Sequence, residues 1–247
     1  MPTWDEAADW YMRMVADPTI GFNSLATEVA LALVGAGAGR SVLDLGCGEG
    51  HVARRLAGAG ARVVGVDPTR AFVEAARAAE AGHPLGIEYR IGDAHDLGWL
   101  TDGSIDVVVA VLVLHHLESV EKVLGEIARV LRPGGRLVAV IPHPWSDHPG
   151  AIWSAGRRII GDYIEERAWA DEGELESIRQ IGWHHRTLAT WINDLAAVGL
   201  AIDRVEEPTG ADGARPDGGG HWAGVPRFFA YSARRVEPGA RPGATSL

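Results

Sequence analysis

The sequence predicts a doubly wound α/β fold, on three observations. Short β-branched runs alternate with alanine-rich segments of helical periodicity over residues 41–141. The runs are apolar throughout rather than at every second position, as strands covered on both faces require. A glycine-rich turn, Gly46-Cys47-Gly48-Glu49-Gly50, joins the first run to the segment after it, at the edge where such sheets bind ligands.

In chain order, Trp4 to Val15 and Ser24 to Val34 carry apolar residues at helical spacing, with Thr3 and Ser24 as N-caps. Strands are expected at 41–45 (SVLDL), 62–67 (RVVGVD), 86–91 (GIEYRI), 105–111 (IDVVVAV) and 136–141 (RLVAVI). Helices near 50–59, 69–81 and 119–131 separate them, and Arg132-Pro133-Gly134-Gly135 turns the chain into the fifth strand. After Ile141 the rhythm stops until about residue 186, in a stretch holding Trp145, Trp153, Trp169 and Trp183. So long a departure inside a compact domain is usually functional. A helix near 187–198 and a strand near 200–206 restore regularity; 207–225 is rich in Gly, Asp and Pro, and 227–235 (RFFAYSARR) reads as a last strand. Residues 236–247 are expected to be a disordered tail.

The 247 residues suffice for one α/β core with an inserted lobe. The single cysteine, Cys47, excludes an internal disulfide and a cysteine-rich zinc site, and it reads as a small buried residue. Lys plus Arg is 23 against 33 Asp plus Glu, a net charge of −10 that disfavours phosphate backbones and anionic lipid. A small-molecule partner is expected, with no nucleic acid and no membrane. Residues 1–20 hold early acids and no apolar run, so a secretory peptide is not expected and the chain reads as cytoplasmic.

The chemistry is carried by Asp44-Leu45-Gly46-Cys47-Gly48-Glu49-Gly50. A nicotinamide-type G-x-G-x-x-G would place its third glycine at position 51, which is His51; the glycines stand instead at 46, 48 and 50. Asp67 ends the second strand, where an acid accepts ribose hydroxyls. Asp93 follows the third strand in Gly92-Asp93-Ala94, and Leu114-His115-His116-Leu117 follows the fourth. Singly, Gly46 and Gly48 serve as well as turn glycines, and Asp93 as a helix cap.

Together, over about residues 40–141, these motifs resemble the class I S-adenosylmethionine (SAM)-dependent methyltransferases. Tyr163-Ile164-Glu165-Glu166, Trp183-His184-His185-Arg186-Thr187-Leu188 and Val205-Glu206-Glu207-Pro208 resemble a small-molecule subgroup, many of whose members work in secondary metabolism. The resemblance implies a Rossmann-like, mostly parallel seven-stranded sheet with an antiparallel last strand. It implies an N-terminal helical cap (1–36), a SAM-binding core (37–141), a substrate lid (142–186) and a C-terminal part of the sheet (187–235). It implies cofactor contacts from Tyr11, Asp44, Gly46, Cys47, Gly48, Gly50, Asp67, Pro68, Asp93, Ala94, Ala110, Val111 and His115, with Asp67 on the ribose and Asp93 on the adenine amino group.

The activity so implied is transfer of the SAM methyl group to an O, N or C nucleophile of a small, aromatic or apolar molecule. His115, His116, His143 and His185 are the candidate bases, because imidazole titrates near neutrality. The tryptophans of 142–186 offer flat apolar area to an acceptor or form the segment's own small core. No metal is expected: His143, Asp147 and His148 read as loop residues. An Asn/Asp-Pro-Pro-Tyr/Phe motif of base and amide methylation is replaced by Ala110-Val111-Leu112-Val113. The alternative is a SAM-binding enzyme of this fold that no longer methylates, such as a cyclase.

Overall fold

A computed structural model describes residues 3–16, 21–171, 178–209 and 224–236. In chain order the elements are α1 (Trp4–Ala16), α2 (Gly21–Val34), β1 (Ser41–Leu45), α3 (His51–Gly58), β2 (Arg62–Asp67), α4 (Arg70–Gly82), β3 (Glu88–Ile91) and β4 (Ile105–Val111). There follow α5 (Val120–Val130), β5 (Leu131–Pro142), β6 (Ile152–Ser154), β7 (Arg157–Ile159), β8 (Ala168–Trp169), β9 (Trp183–His184), α6 (Leu188–Ala197), β10 (Leu200–Glu206) and β11 (Phe228–Arg235). The expected tail from residue 237 and most of the Gly/Asp/Pro-rich stretch lie outside the described residues.

One seven-stranded sheet has the order β3-β2-β1-β4-β5-β11-β10. β1 pairs in parallel with β2 and β4, and β5 with β4, while β11 runs antiparallel to both β5 and β10. The chain therefore leaves β1 to one side through β2 and β3, and later crosses to its other side through β4 and β5. That reversal makes the carboxyl ends of β1 and β4 a topological switch point, where a crevice opens without interrupting the ladder. Asp44 lies opposite Gly65 on one flank and Val109 on the other.

The sheet is buried on both faces. Ala26, Ala30 and Leu33 of α2, Ala53 and Leu56 of α3, and Val73 and Ala76 of α4 pack on one side; Val123, Leu124 and Ile127 of α5, with Trp191 and Leu195 of α6, pack on the other. This two-sided burial is why the strands read as unbroken apolar runs.

Helix starts follow local chemistry. Thr3 and Glu6 form a reciprocal box at α1: the Glu6 N–H donates to Thr3 Oγ1 (3.3 Å) and the Thr3 N–H to Glu6 Oε2 (2.7 Å). Ser24 is not a cap, because α2 already begins at Gly21. Leu131 pairs with Ile105 and belongs to β5 rather than α5, and Arg132–Gly135 bulge out before the ladder resumes at Arg136 opposite Val107. Residues 142–187 hold two small hairpins, β6–β7 and β8–β9, that periodicity does not signal because each strand is only two or three residues long.

Candidate functional site

Two adjoining cavities, of about 160 and 190 Å³, open at the switch point and share Tyr11, Gly46, Gly48, Val111 and Leu112. The alternating glycines are needed there for different reasons. Gly46 has φ +69°, and a Cβ on it would lie 2.3 Å from Val113 Cγ2, so only glycine lets the turn pass beneath the end of β4. Gly48 has φ +53° and nothing within 4 Å of a notional Cβ, so its backbone faces the open crevice. Leu112 also has φ +58°, a strained conformation for leucine, held where β4 meets both cavities by its N–H bond to the Val140 carbonyl (2.8 Å).

Three carboxylates surround the crevice. Asp44 is 2% exposed, and its Oδ2 is buried with no hydrogen-bond partner. Burial pushes its pKa up to about 7 against the backbone N–H of Ala53. Asp67 ties two turns together: Oδ2 accepts the Gly48 N–H (3.0 Å) and Oδ1 the Thr69 N–H (2.9 Å). Burial raises its pKa while those bonds oppose the rise. Asp93 stands at the rim, where the His95 N–H (2.9 Å) and imidazole (2.7 Å) hold its carboxyl below the usual range. It closes a turn and lines the first cavity at once.

Aromatic rings roof the first cavity. Trp4 lies 5.4 Å from Tyr11 and 5.0 Å from His116, edge-on to both, and Phe72 of α4 is 5.4 Å from Tyr11. His116 also lines this cavity. Its Nδ1 lies 2.6 Å from the Gly182 carbonyl, which accepts only, so Nδ1 carries the proton. Nε2 is buried and has no partner. Burial lowers the imidazole pKa to about 4 against that hydrogen bond.

The other three candidate bases sit elsewhere. His115, His143 and His185 line a separate small cavity of about 30 Å³ with Trp183 and Arg186. His143 is fully buried and bonds Glu207 (2.8 Å), and His185 bonds the Tyr163 carbonyl (2.8 Å). His115 stacks between His116 (4.0 Å) and Trp183 (6.1 Å). Burial is the leading cause that lowers all three pKa values. Of the expected cofactor contacts, Tyr11, Asp44, Gly46, Cys47, Gly48, Asp67, Pro68, Asp93, Ala94 and Val111 line the two cavities at the switch point. Three do not. Ala110 is wholly buried in the core, Gly50 packs beneath Tyr89, and His115 lies behind His116.

No tryptophan of 142–186 lines the two cavities at the switch point; Trp153 and Trp169 lie under Arg158 (5.5 Å) and Arg167 (4.6 Å) of their own segment. Among the described residues no cluster of His, Cys, Asp and Glu is suited to a metal ion, and no helix is long and apolar enough to cross a membrane. Sequence reasoning missed Trp4, Phe72 and Leu112. Trp4 had a signal, standing seven residues before Tyr11 on the same helix face; the backbone of Leu112 had none.

A methyltransferase-domain family profile matches residues 43–139. A probable SAM-dependent methyltransferase of Mycolicibacterium smegmatis is 40% identical over 46% of the chain and 42% of the relative. A ubiquinone biosynthesis O-methyltransferase of Bradyrhizobium is 36% identical over 47% of the chain and 46% of the relative. These matches thus span less than half the length of either relative. The crystal structure of a SAM-dependent methyltransferase from Mesorhizobium loti is 32% identical with a TM-score of 0.69, covering 84% of the chain and 96% of that protein. Identity sustained across nearly all of that enzyme reaches well beyond the glycine turn, so the chain belongs to the S-adenosylmethionine-dependent methyltransferases, with S-adenosylmethionine as its cofactor.

Proposed function

We propose that the protein transfers the methyl group of SAM to a nucleophile of a small, aromatic or apolar acceptor, with His116 as the base when that nucleophile is a hydroxyl. The observation that carries this reading is a pair of unspent acceptors beside one crevice, Asp44 Oδ2 and His116 Nε2, both buried and unpartnered. Each such group costs stability unless a ligand completes it. The residues fit the cofactor. Asp44 suits a cationic amino group, Asp67 retains lone pairs for the ribose hydroxyls, and Asp93 at the rim suits the adenine amino group. Gly46 and Gly48 leave the backbone open to close approach.

When bound, SAM supplies an electrophilic methyl on a sulfonium whose positive charge is lost on transfer. The chain's part is to align and to dry. Val111, Leu112, Val113 and Leu117 line the crevice without polar side chains, and the rings of Trp4, Tyr11 and Phe72 roof it. His116, protonated at Nδ1, has only Nε2 with which to accept the acceptor's proton. The name of the Bradyrhizobium relative, an O-methyltransferase, supports oxygen as the nucleophile.

The test is incubation with methyl-labelled SAM and a panel of phenols, hydroxylated quinols and amines. Label in an extractable small product is expected, with loss of at least about 100-fold in rate for His116→Asn on phenols, the lower end of the usual range of general-base effects. Tight S-adenosylhomocysteine binding with label passing to none of the panel would contradict the reading.

A further inference from the structure

We propose that Arg186 is a positioning residue which, with the Gly182 carbonyl, clamps the loop after β4 and locks His116 in the tautomer that leaves Nε2 free. The inference rests on the methyl-transfer reading for its purpose, and on the geometry of residues 182–186 for its substance. Two points of that segment grip three consecutive loop residues, 116–118. At one end the Gly182 carbonyl accepts from His116 Nδ1 at 2.6 Å. At the other, Arg186 Nη2 donates to the carbonyls of Leu117 (2.8 Å) and Glu118 (2.5 Å). Between the grips, Trp183 packs against His115 with ring centroids 6.1 Å apart.

The arm that does this is anchored in the core. The Arg186 guanidinium lies 5.5 Å from the ring of Trp191, which is 1% exposed and belongs to the α5–α6 side of the core. Arg186 forms no ion pair among the described residues, and its charge is directed to backbone carbonyls. Burial lowers its pKa, and the fields of Asp194, Glu121 and Glu166 oppose that, so it stays a cation at the edge of the core. An unpaired, partly buried cation is a costly way to hold two carbonyls. Both bonds come from Nη2, whose two N–H groups lie in the fixed guanidinium plane and so reach two adjacent carbonyls with less conformational freedom than an ammonium on a flexible stem.

The consequence falls on His116. Without the grip at 117 and 118 the loop is free to move away from Gly182, and Nδ1 loses the only acceptor that dictates its protonation. The neutral imidazole then distributes its proton over both nitrogens, and whenever Nε2 carries it the lone pair facing the acceptor is gone. A purely structural staple would affect stability and leave the tautomer alone.

The test is imidazole nitrogen NMR on the full chain labelled at histidine, from pH 5 to 8. Wild type is expected to show His116 neutral and protonated at Nδ1 throughout most of this range. Arg186→Met keeps an unbranched apolar side chain at the position and removes the donors. It is expected to lower the Nδ1–H to Nε2–H ratio by about tenfold, the worth of one hydrogen bond, and to raise the His116 titration midpoint toward 6.5 as solvent enters. Arg186→Lys, which keeps the charge and an ammonium donor but not the planar geometry, is expected to fall between the two and carries the test if the methionine variant does not fold. A His116 tautomer and midpoint unchanged in whichever variant folds overturns the clamp, whatever happens to the melting temperature. Full methyl transfer by His116→Asn would instead overturn the base reading, and the tautomer measurement would still decide the clamp.

Discussion

Asp44 is the residue whose chemistry is most exposed to experiment. With its carboxyl pushed up to about 7 by burial, it is largely protonated in the free protein below neutrality. A ligand amino cation beside Oδ2 requires the carboxylate, so binding must release a proton. The direction follows from linkage: affinity for S-adenosylhomocysteine weakens as pH falls from 7 to 5, approaching about tenfold per unit at the lower end. Calorimetry in two buffers of unlike ionisation enthalpy should find proton release on binding that rises toward one proton as the pH is lowered from 7 to 5. Asp44→Asn should bind more weakly at pH 7 and lose the slope; a slope unchanged in that variant would remove Asp44 from the amino-group site. At this scale the carboxylates and glycines could be read from the sequence, because a turn between β1 and α3 is a local object whose spacing is written in consecutive residues. The histidines could not be ranked. What separates His116 from its neighbour is a carbonyl 66 residues away.

Among the elements, α1 matters more than its place at the edge of the fold suggests. It touches the sheet little and instead lays Trp4 and Tyr11 over Phe72 and His116. Aromatic pairs of this kind are worth about 0.5–1.5 kcal/mol each beyond the area they bury. Trp4→Ala is therefore expected to weaken S-adenosylhomocysteine by about tenfold, with a smaller effect on the melting temperature of the free protein. Hydrogen exchange over residues 4–16 should slow on ligand addition in wild type and respond less in the variant. An unchanged dissociation constant would make α1 a bystander. The helices and the seven sheet strands follow from periodicity because each is long enough to show it and the sheet is covered on both faces. The segment 142–186 does not: its hairpins are short, and Trp153 and Trp169 stack on arginines of the same segment rather than on a ligand cavity. Composition marked the place as unusual and could not say which way the rings face.

For the molecule as a whole, topology decides where chemistry can occur. The order β3-β2-β1-β4-β5-β11-β10 reverses at β1, so the turn after β1, the acid ending β2 and the loop after β4 must meet at one edge even though they are spread over some 70 residues of chain. Asp67 records that convergence physically, since its two oxygens bind the turns that follow β1 and β2. The net charge of −10 includes the three carboxylates of that edge. Removing Asp67 withdraws both the ribose partner and the strap between the turns, while Asp67→Asn keeps one amide oxygen and can retain part of the strap. The most direct measurement is calorimetric titration of the full chain and of Asp67→Ala with S-adenosylhomocysteine, with NADH as the comparison ligand. One site per chain, no NADH binding, and a loss of about 100-fold in the variant are expected, as two charge-assisted hydrogen bonds imply. Equal affinity in wild type and Asp67→Ala, or NADH displacing S-adenosylhomocysteine, would contradict this reading of the site.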